Sequence, residues 1–186
     1  MAKVKFGLKN VHYAIVTETT DSQTGEVTST YGTVKGWKGA VDLTMDPQGD
    51  DTPFYADDGV YYMVSNNNGY SGNLETALIP EDVNTSVLGQ TKDTNGVISE
   101  TDVDVKKYIA LLFEFQMDAS GRRYVFYRCN LARPSVSGTT KGENIEVKTE
   151  TTAITATPRP DDGLIKAYVD KDAEGYDDWY DAVYTA

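Results

Sequence analysis

One histidine, one cysteine and a run of carboxylates near the end are the residues of this chain whose types could do chemistry. A nucleophilic triad or a multi-histidine metal site needs a positioned imidazole. His12 is the only one, and it sits in a strand-like run with no serine or cysteine motif beside it, so it reads as structural. Cys129 falls on the apolar side of another alternating run and reads as a small buried hydrophobe. A single cysteine excludes an internal disulfide and a cysteine-built zinc cluster. Residues 170–181 place oxygens at positions 1, 3, 5, 9 and 12 of a calcium-loop spacing, with Gly175 at position 6. Against that, Asp181 is shorter than the bidentate glutamate such a loop ends on, Asp177 stands where an apolar residue belongs, and a strand precedes the run instead of a helix. An acidic surface turn leading into a terminal helix fits better. No phosphate-binding glycine motif occurs. Asn84-Thr-Ser86 matches a glycosylation sequon but falls inside a predicted helix. No pair of carboxylates stands out for glycoside hydrolysis. The chain reads as a non-enzyme that needs no cofactor.

The elements that would position these residues are mostly strands. The organising stretch is 108–134. Ile109, Leu111, Phe113, Phe115 and Met117 alternate with Glu114, Gln116 and Asp118, the pattern of a half-buried strand. Asp118-Ala-Ser-Gly121 supplies turn chemistry. A second run then puts Val125, Tyr127, Cys129 and Leu131 on one face and Arg122, Tyr124, Phe126 and Arg128 on the other. The two predict a β-hairpin with one apolar side. Strands are also expected over 11–20, 26–34, 35–45, 59–66, 70–79, 144–157 and 164–169, with a small hairpin around Asp93-Thr-Asn-Gly96. The 144–157 strand is rich in threonine, which suits wet faces.

One helix is expected over 80–89. Pro80 fits the first turn, Glu81 and Asp82 suit the positive end of the macrodipole, and Gly89 can cap the other end. A short aromatic helix or helical turn is expected over 175–186. The whole predicts a mainly β chain: an antiparallel β-sandwich or barrel-like fold with one short internal α-helix and a short C-terminal helix, in a single domain over 1–186.

Residues 46–58 interrupt the pattern with two prolines, a glycine and Asp46, Asp50, Asp51, Asp57 and Asp58. They read as a long loop between two strands, and a loop of that length in a compact domain usually has a function. Phe54 and Tyr55 stand among its aspartates. Two exposed aromatics are a liability unless a partner covers them.

The formal net charge of −12 disfavours a protein that grips nucleic acid. It leaves open a surface past which DNA slides without sticking. No apolar run reaches the ~20 residues of a membrane span, and none suits a signal peptide. A cytosolic origin is expected.

Three segments carry a resemblance to a known family: Lys5-Phe-Gly-Leu-Lys-Asn-Val-His-Tyr-Ala14, Tyr70-Ser-Gly-Asn-Leu-Glu-Thr-Ala-Leu-Ile-Pro80, and Trp179-Tyr-Asp-Ala-Val-Tyr184. Together they resemble the major tail proteins of long-tailed, non-contractile bacteriophages. That resemblance implies a β-sandwich flanked by a helix, assembled as hexameric rings that stack into a tail tube with an acidic lumen for DNA passage. It implies a virion location after assembly in the host cytoplasm. Tape measure and tail terminator proteins would be partners beside the chain itself. The bare tube form is expected, without an appended immunoglobulin-like domain. Ring-to-ring contact is expected at Asp46, Asp50, Asp51, Phe54, Tyr55 and Asp57. A second class remains, a β-sandwich module that binds host-surface glycans by stacking sugars on Tyr61, Tyr62 and Tyr70.

Overall fold

The computed structural model describes residues 7–116, 120–138, 140 and 148–185. The expected basic arm before Gly7, Met117 with the first residues of the central turn, and Ile145 and Val147 lie outside the described residues.

In chain order the strands are β1 (Leu8–Thr20), β2 (Val27–Tyr31), β3 (Lys35–Gly36), β4 (Ala40–Gln48), β5 (Asp51–Ala56), β6 (Gly59–Ser65), β7 (Gly69–Thr76), β8 (Thr91–Lys92), β9 (Ile98–Ser99), β10 (Ile109–Phe115), β11 (Arg123–Leu131), β12 (Glu150–Ala156) and β13 (Lys166–Val169). Helix α1 (Glu81–Ser86) follows β7, and a single 3-10 turn covers Asp177–Tyr180. The chain is mainly β, as expected. Its large antiparallel sheet runs β2-β1-β10-β11-β12-β7-β4, with β13 also on β11 and β3 also on β1.

The predicted hairpin of β10 and β11 lies at the centre of that order. It is not half wet, however. Ile109, Leu111 and Phe113 enter one core while Ala110 and Leu112 enter a second on the opposite face. The pairing also slips, from Ile109 opposite Cys129 to Leu111 opposite Phe126. That bulge breaks the expected alternation of β11. Phe126 joins Cys129 and Leu131 in the first core, while Val125 and Tyr127 turn to the second. Strict period-2 reading cannot see an extra residue in the ladder.

The first core is lined by Val11, Tyr13, Trp37, Leu74 and Ile154, and α1 docks Val83 on it, with Val87 and Leu88 just beyond. The helix is one and a half turns, too short to persist alone. Asp82 fastens it. This carboxylate accepts bonds from Lys35 Nζ at 2.8 Å, from the hydroxyl of buried Tyr13, and from Ser86 Oγ at 3.0 Å. The second core is closed by the chain's end. Trp179 and Val183, on and just after the 3-10 turn, cover Ala14, Leu112 and Tyr127. Of the helix or helical turn expected over 175–186, the structure has the turn, held by burial of its tryptophan.

Other strands differ in detail. The run expected over 35–45 is two strands, because the chain turns at Lys38-Gly39, where Gly39 has φ +88°, and buries Trp37 between them. The threonine-rich strand, within the described residues, is only β12. It buries Thr152, Ile154 and Ala156 and exposes Thr151, Ala153 and Thr155, so one face alone is wet. At β7 the backbone of β4 comes so close that a Cβ on Gly72 would lie 1.8 Å from the Thr44 carbonyl oxygen.

Asp82 makes a pH prediction. The Lys35 ammonium and the Tyr13 hydroxyl pull its pKa down to about 2. The folded-state value lies below the unfolded one, so the stabilisation is complete above the ordinary carboxylate range and disappears as pH falls from about 4 to about 2. Asp82→Asn should lower the melting temperature at pH 7. The gap to wild type should close as pH approaches 2. A gap of constant size across that range would show that the carboxylate charge does not hold the helix.

Candidate functional site

The residues expected at an inter-copy contact are brought together, but not as a loop. Strand β4 continues through Asp46 to Gln48, opposite Ser71 to Gly69 of β7. The ribbon then carries on past an irregular step, where Asn68 N–H donates to Gln48 O at 2.9 Å and Asn66 N–H to Asp50 O at 3.3 Å. Beyond it, β5 and β6 form a two-stranded sheet of their own. Asp51 faces Ser65, Phe54 faces Tyr62, and Tyr55 faces Val60. The expected loop over 46–58 is thus the end of one strand, a short step, a whole strand and a turn.

Local chemistry explains the hairpin. Asp57 and Asp58 both take positive φ, +49° and +60°. Two central residues with positive φ define the turn that matches the twist of a tight hairpin, and aspartate tolerates that region. Pro53 cannot donate to a central ladder, but on a two-stranded ribbon its missing N–H can face water. Proline and aspartate disfavour a strand inside a sheet but are tolerated in a free two-stranded ribbon.

The arm is apolar on both faces and covered on neither. Phe54, Tyr55, Val60, Tyr61, Tyr62, Met63 and Val64 are each between 48 % and 73 % exposed. Such a concentration of exposed apolar side chains marks an interaction site more often than an idle surface. The charge is one-sided as well. Between residues 46 and 69 there are five aspartates and no lysine, arginine or histidine. Asp46 and Asp51 stand on the strands, Asp50 at the step, and Asp57 and Asp58 at the tip.

The arm is rooted beside an apolar mouth. Strand β7 runs from Tyr70 towards α1 at the far end of the first core. At the Tyr70 end that core is open to solvent as a depression of about 200 Å³, walled by Leu43, Met45, Tyr70, Phe113 and Phe126. Phe126 stacks on Phe113 with ring centres 6.1 Å apart, and Tyr70 meets Phe126 edge-on at 5.2 Å. Lys166 stands on the rim, its ammonium 4.4 Å over the Tyr70 ring. A second depression shares the Phe115 wall and carries Lys9 and Lys171. Glu114 lines this second depression and is buried. Burial opposes its charge, but bonds from Lys9, Arg123 and Asn10 outweigh that and hold its carboxyl below the ordinary range.

The remaining chemistry-bearing residues sit in structural settings. His12 Nδ1 lies 2.8 Å from Asn10 O, and its ring packs 4.6 Å from Tyr180. Cys129 is fully buried, and burial raises its thiol pKa. Asp170, first residue of the calcium-like spacing, pairs with Arg122 at 2.6 Å. Among the described residues no three histidine, cysteine, aspartate or glutamate side chains gather as a metal ion would need. Of the three tyrosines expected to stack sugars, Tyr61 and Tyr62 are on the arm, whereas Tyr70 is half-buried in the mouth.

Sequence reading places a strand over 59–66 with Tyr61 and Tyr62 exposed, but it misses the pairing of that strand with β5 as a separate ribbon, and it misses the mouth. Ala56-Asp-Asp-Gly59 was the available signal for the first, since Asp-Gly between two apolar runs marks a hairpin. Nothing local signals the second, whose walls come from four strands. No family model matches this chain, and no curated protein matches it.

Because Gln48 and Gly69 are cross-strand neighbours, residues 49–68 can be replaced by a two-residue Asn-Gly turn. The arm contributes nothing to either core, so the melting temperature should change by less than the equivalent of about 1 kcal/mol. A large fall would show that the arm supports the fold.

Proposed function

We propose that this chain is a structural subunit that assembles with copies of itself, as hexameric rings stacked into the tail tube of a long-tailed bacteriophage. The observation that carries the proposal is the arm: seven exposed apolar side chains on a ribbon that neither core needs. A lone soluble domain gains nothing from such a feature, and a subunit whose neighbours cover it does. The resemblance of three sequence segments to major tail proteins supplies the rest of the reading, including the ring, the stack and the virion location. Tape measure and terminator proteins belong to the same proposal.

On this reading the protein performs no catalysis, and the tube conducts DNA without holding it. Duplex DNA carries about one negative charge per 1.7 Å of axis, so a basic channel would bind it through many phosphates. A chain with a net charge of −12 suits an acidic lumen. The exposed Tyr61 and Tyr62 also fit a second reading, a module that stacks host-surface sugars.

Sedimentation and negative-stain microscopy over a range of concentrations separate the two. The tube reading expects hexamer-sized rings or longer tubes at high concentration and no retention of duplex DNA at moderate salt. A monomer at every concentration, or tight DNA binding, contradicts it. A monomer that binds glycan arrays through Tyr61 and Tyr62 would establish the second reading in its place.

A further inference from the structure

The arm needs an apolar cover, and the chain carries an apolar recess with lysines beside it. The arm is a projecting apolar ribbon with four carboxylates and no cation, and a fifth, Asp46, stands just before its root. The mouth is an apolar recess of about 200 Å³ with Lys166 on its rim and Lys9 and Lys171 in the depression next to it. We propose that the arm of one copy occupies the mouth of the next copy around a ring. This deepens the assembly reading above and rests on it.

Three features point to this occupant. The first is charge complementarity: an acidic ribbon meets a lysine-bearing rim, which steers encounter and fixes register. The second is that arm and mouth are different surfaces of one chain. A contact between unlike surfaces is heterologous, and it closes into a ring or runs on as a filament. The third is position. The arm leaves the sheet at Gln48 and Gly69, immediately next to Met45 and Tyr70 of the mouth. With seven residues in β6 at ~3.3 Å each, it reaches about 20 Å beyond that root. Root and mouth lie at the same end of the domain, so side-by-side copies in one orientation bring one copy's arm root level with its neighbour's mouth. End-to-end stacking would instead put the mouth of one copy against the end of another that carries α1. The contact therefore lies within a ring, whereas the sequence alone suggests ring-to-ring contact for the same residues.

Two variants test this by complementation. Phe54→Ser with Tyr62→Ser disables the arm and leaves the mouth. Met45→Glu with Lys166→Glu disables the mouth and leaves the arm. Each variant alone should sediment as a monomer where wild type forms rings. An equimolar mixture should give a one-to-one heterodimer and nothing larger, since one intact arm and one intact mouth remain. If the arm variant alone still forms closed rings, the contact is not lateral and the inference falls while the assembly reading stands. If the mouth variant assembles like wild type, the arm docks elsewhere, with the same consequence. If wild type itself is monomeric at every concentration, the assembly reading fails and takes this inference with it. Should Met45→Glu not fold, the exposed Lys166→Glu alone serves. It should weaken association about tenfold at low salt, with the effect fading as salt rises. Unchanged association at low salt would overturn the proposal.

Discussion

Everything in this fold depends on burying both faces of β10. Its alternating residues enter two separate cores, so the sheet needs a cover on each side. Helix α1 and the curl of β7 and β4 supply one cover, and the chain's last residues supply the other. The two covers are held differently. The helix is fixed by the Tyr13–Asp82–Lys35 set at its start, and the terminal turn by the depth of Trp179. Arg159, buried near the second core, is paired: it bonds to Asp162 and to the Tyr31 hydroxyl at 3.0 Å, and lies 5.1 Å over the Tyr127 ring. Burying a cation is tolerable only with such pairing.

Against that economy the arm stands out. The same β4–β7 ribbon that closes the first core runs on past Gln48 and Gly69 with no core to join. Its residues are those of an interior: aromatics, valines and a methionine. The charges at its step and tip are those of a surface. A segment that is apolar on both faces and acidic at its tip is soluble enough to wait and sticky enough to dock. The open end of the first core has the converse character, aromatic walls with a lysine rim.

Much of the fold was legible in the sequence. The central hairpin, the helix after Pro80 and the small hairpin at Asp93–Gly96 follow from alternation, capping and turn chemistry, which act over a few residues. Three kinds of information were not local. The bulge opposite Ile109–Leu111 moved Phe126 from one core to the other, and a regular period cannot encode an extra residue. The second face of β10 looked wet because Glu114 suggested water; Lys9, Arg123 and Asn10, from distant parts of the sheet, bury it. The arm looked like a loop because Pro53 and the aspartates are poor strand residues in a sheet, yet they are tolerated in a free ribbon. The candidate site was half visible for the same reason. Phe54, Tyr55 and the aspartates around them are recognisable by composition, and 59–66 reads as a strand with Tyr61 and Tyr62 exposed, whereas no local signal says that the ribbon the two segments form stands apart from the main sheet.

The central claim is that the arm is uncovered in one copy and covered in the assembly. Hydrogen exchange measured on the same protein at low and high concentration addresses it directly. The account predicts that amides of Asp51–Ala56 and Gly59–Ser65 exchange quickly in dilute solution and become strongly protected as assemblies form, while those of Ile109–Phe115 stay protected throughout. Assemblies in which the arm exchanges as fast as in the dilute protein would contradict it.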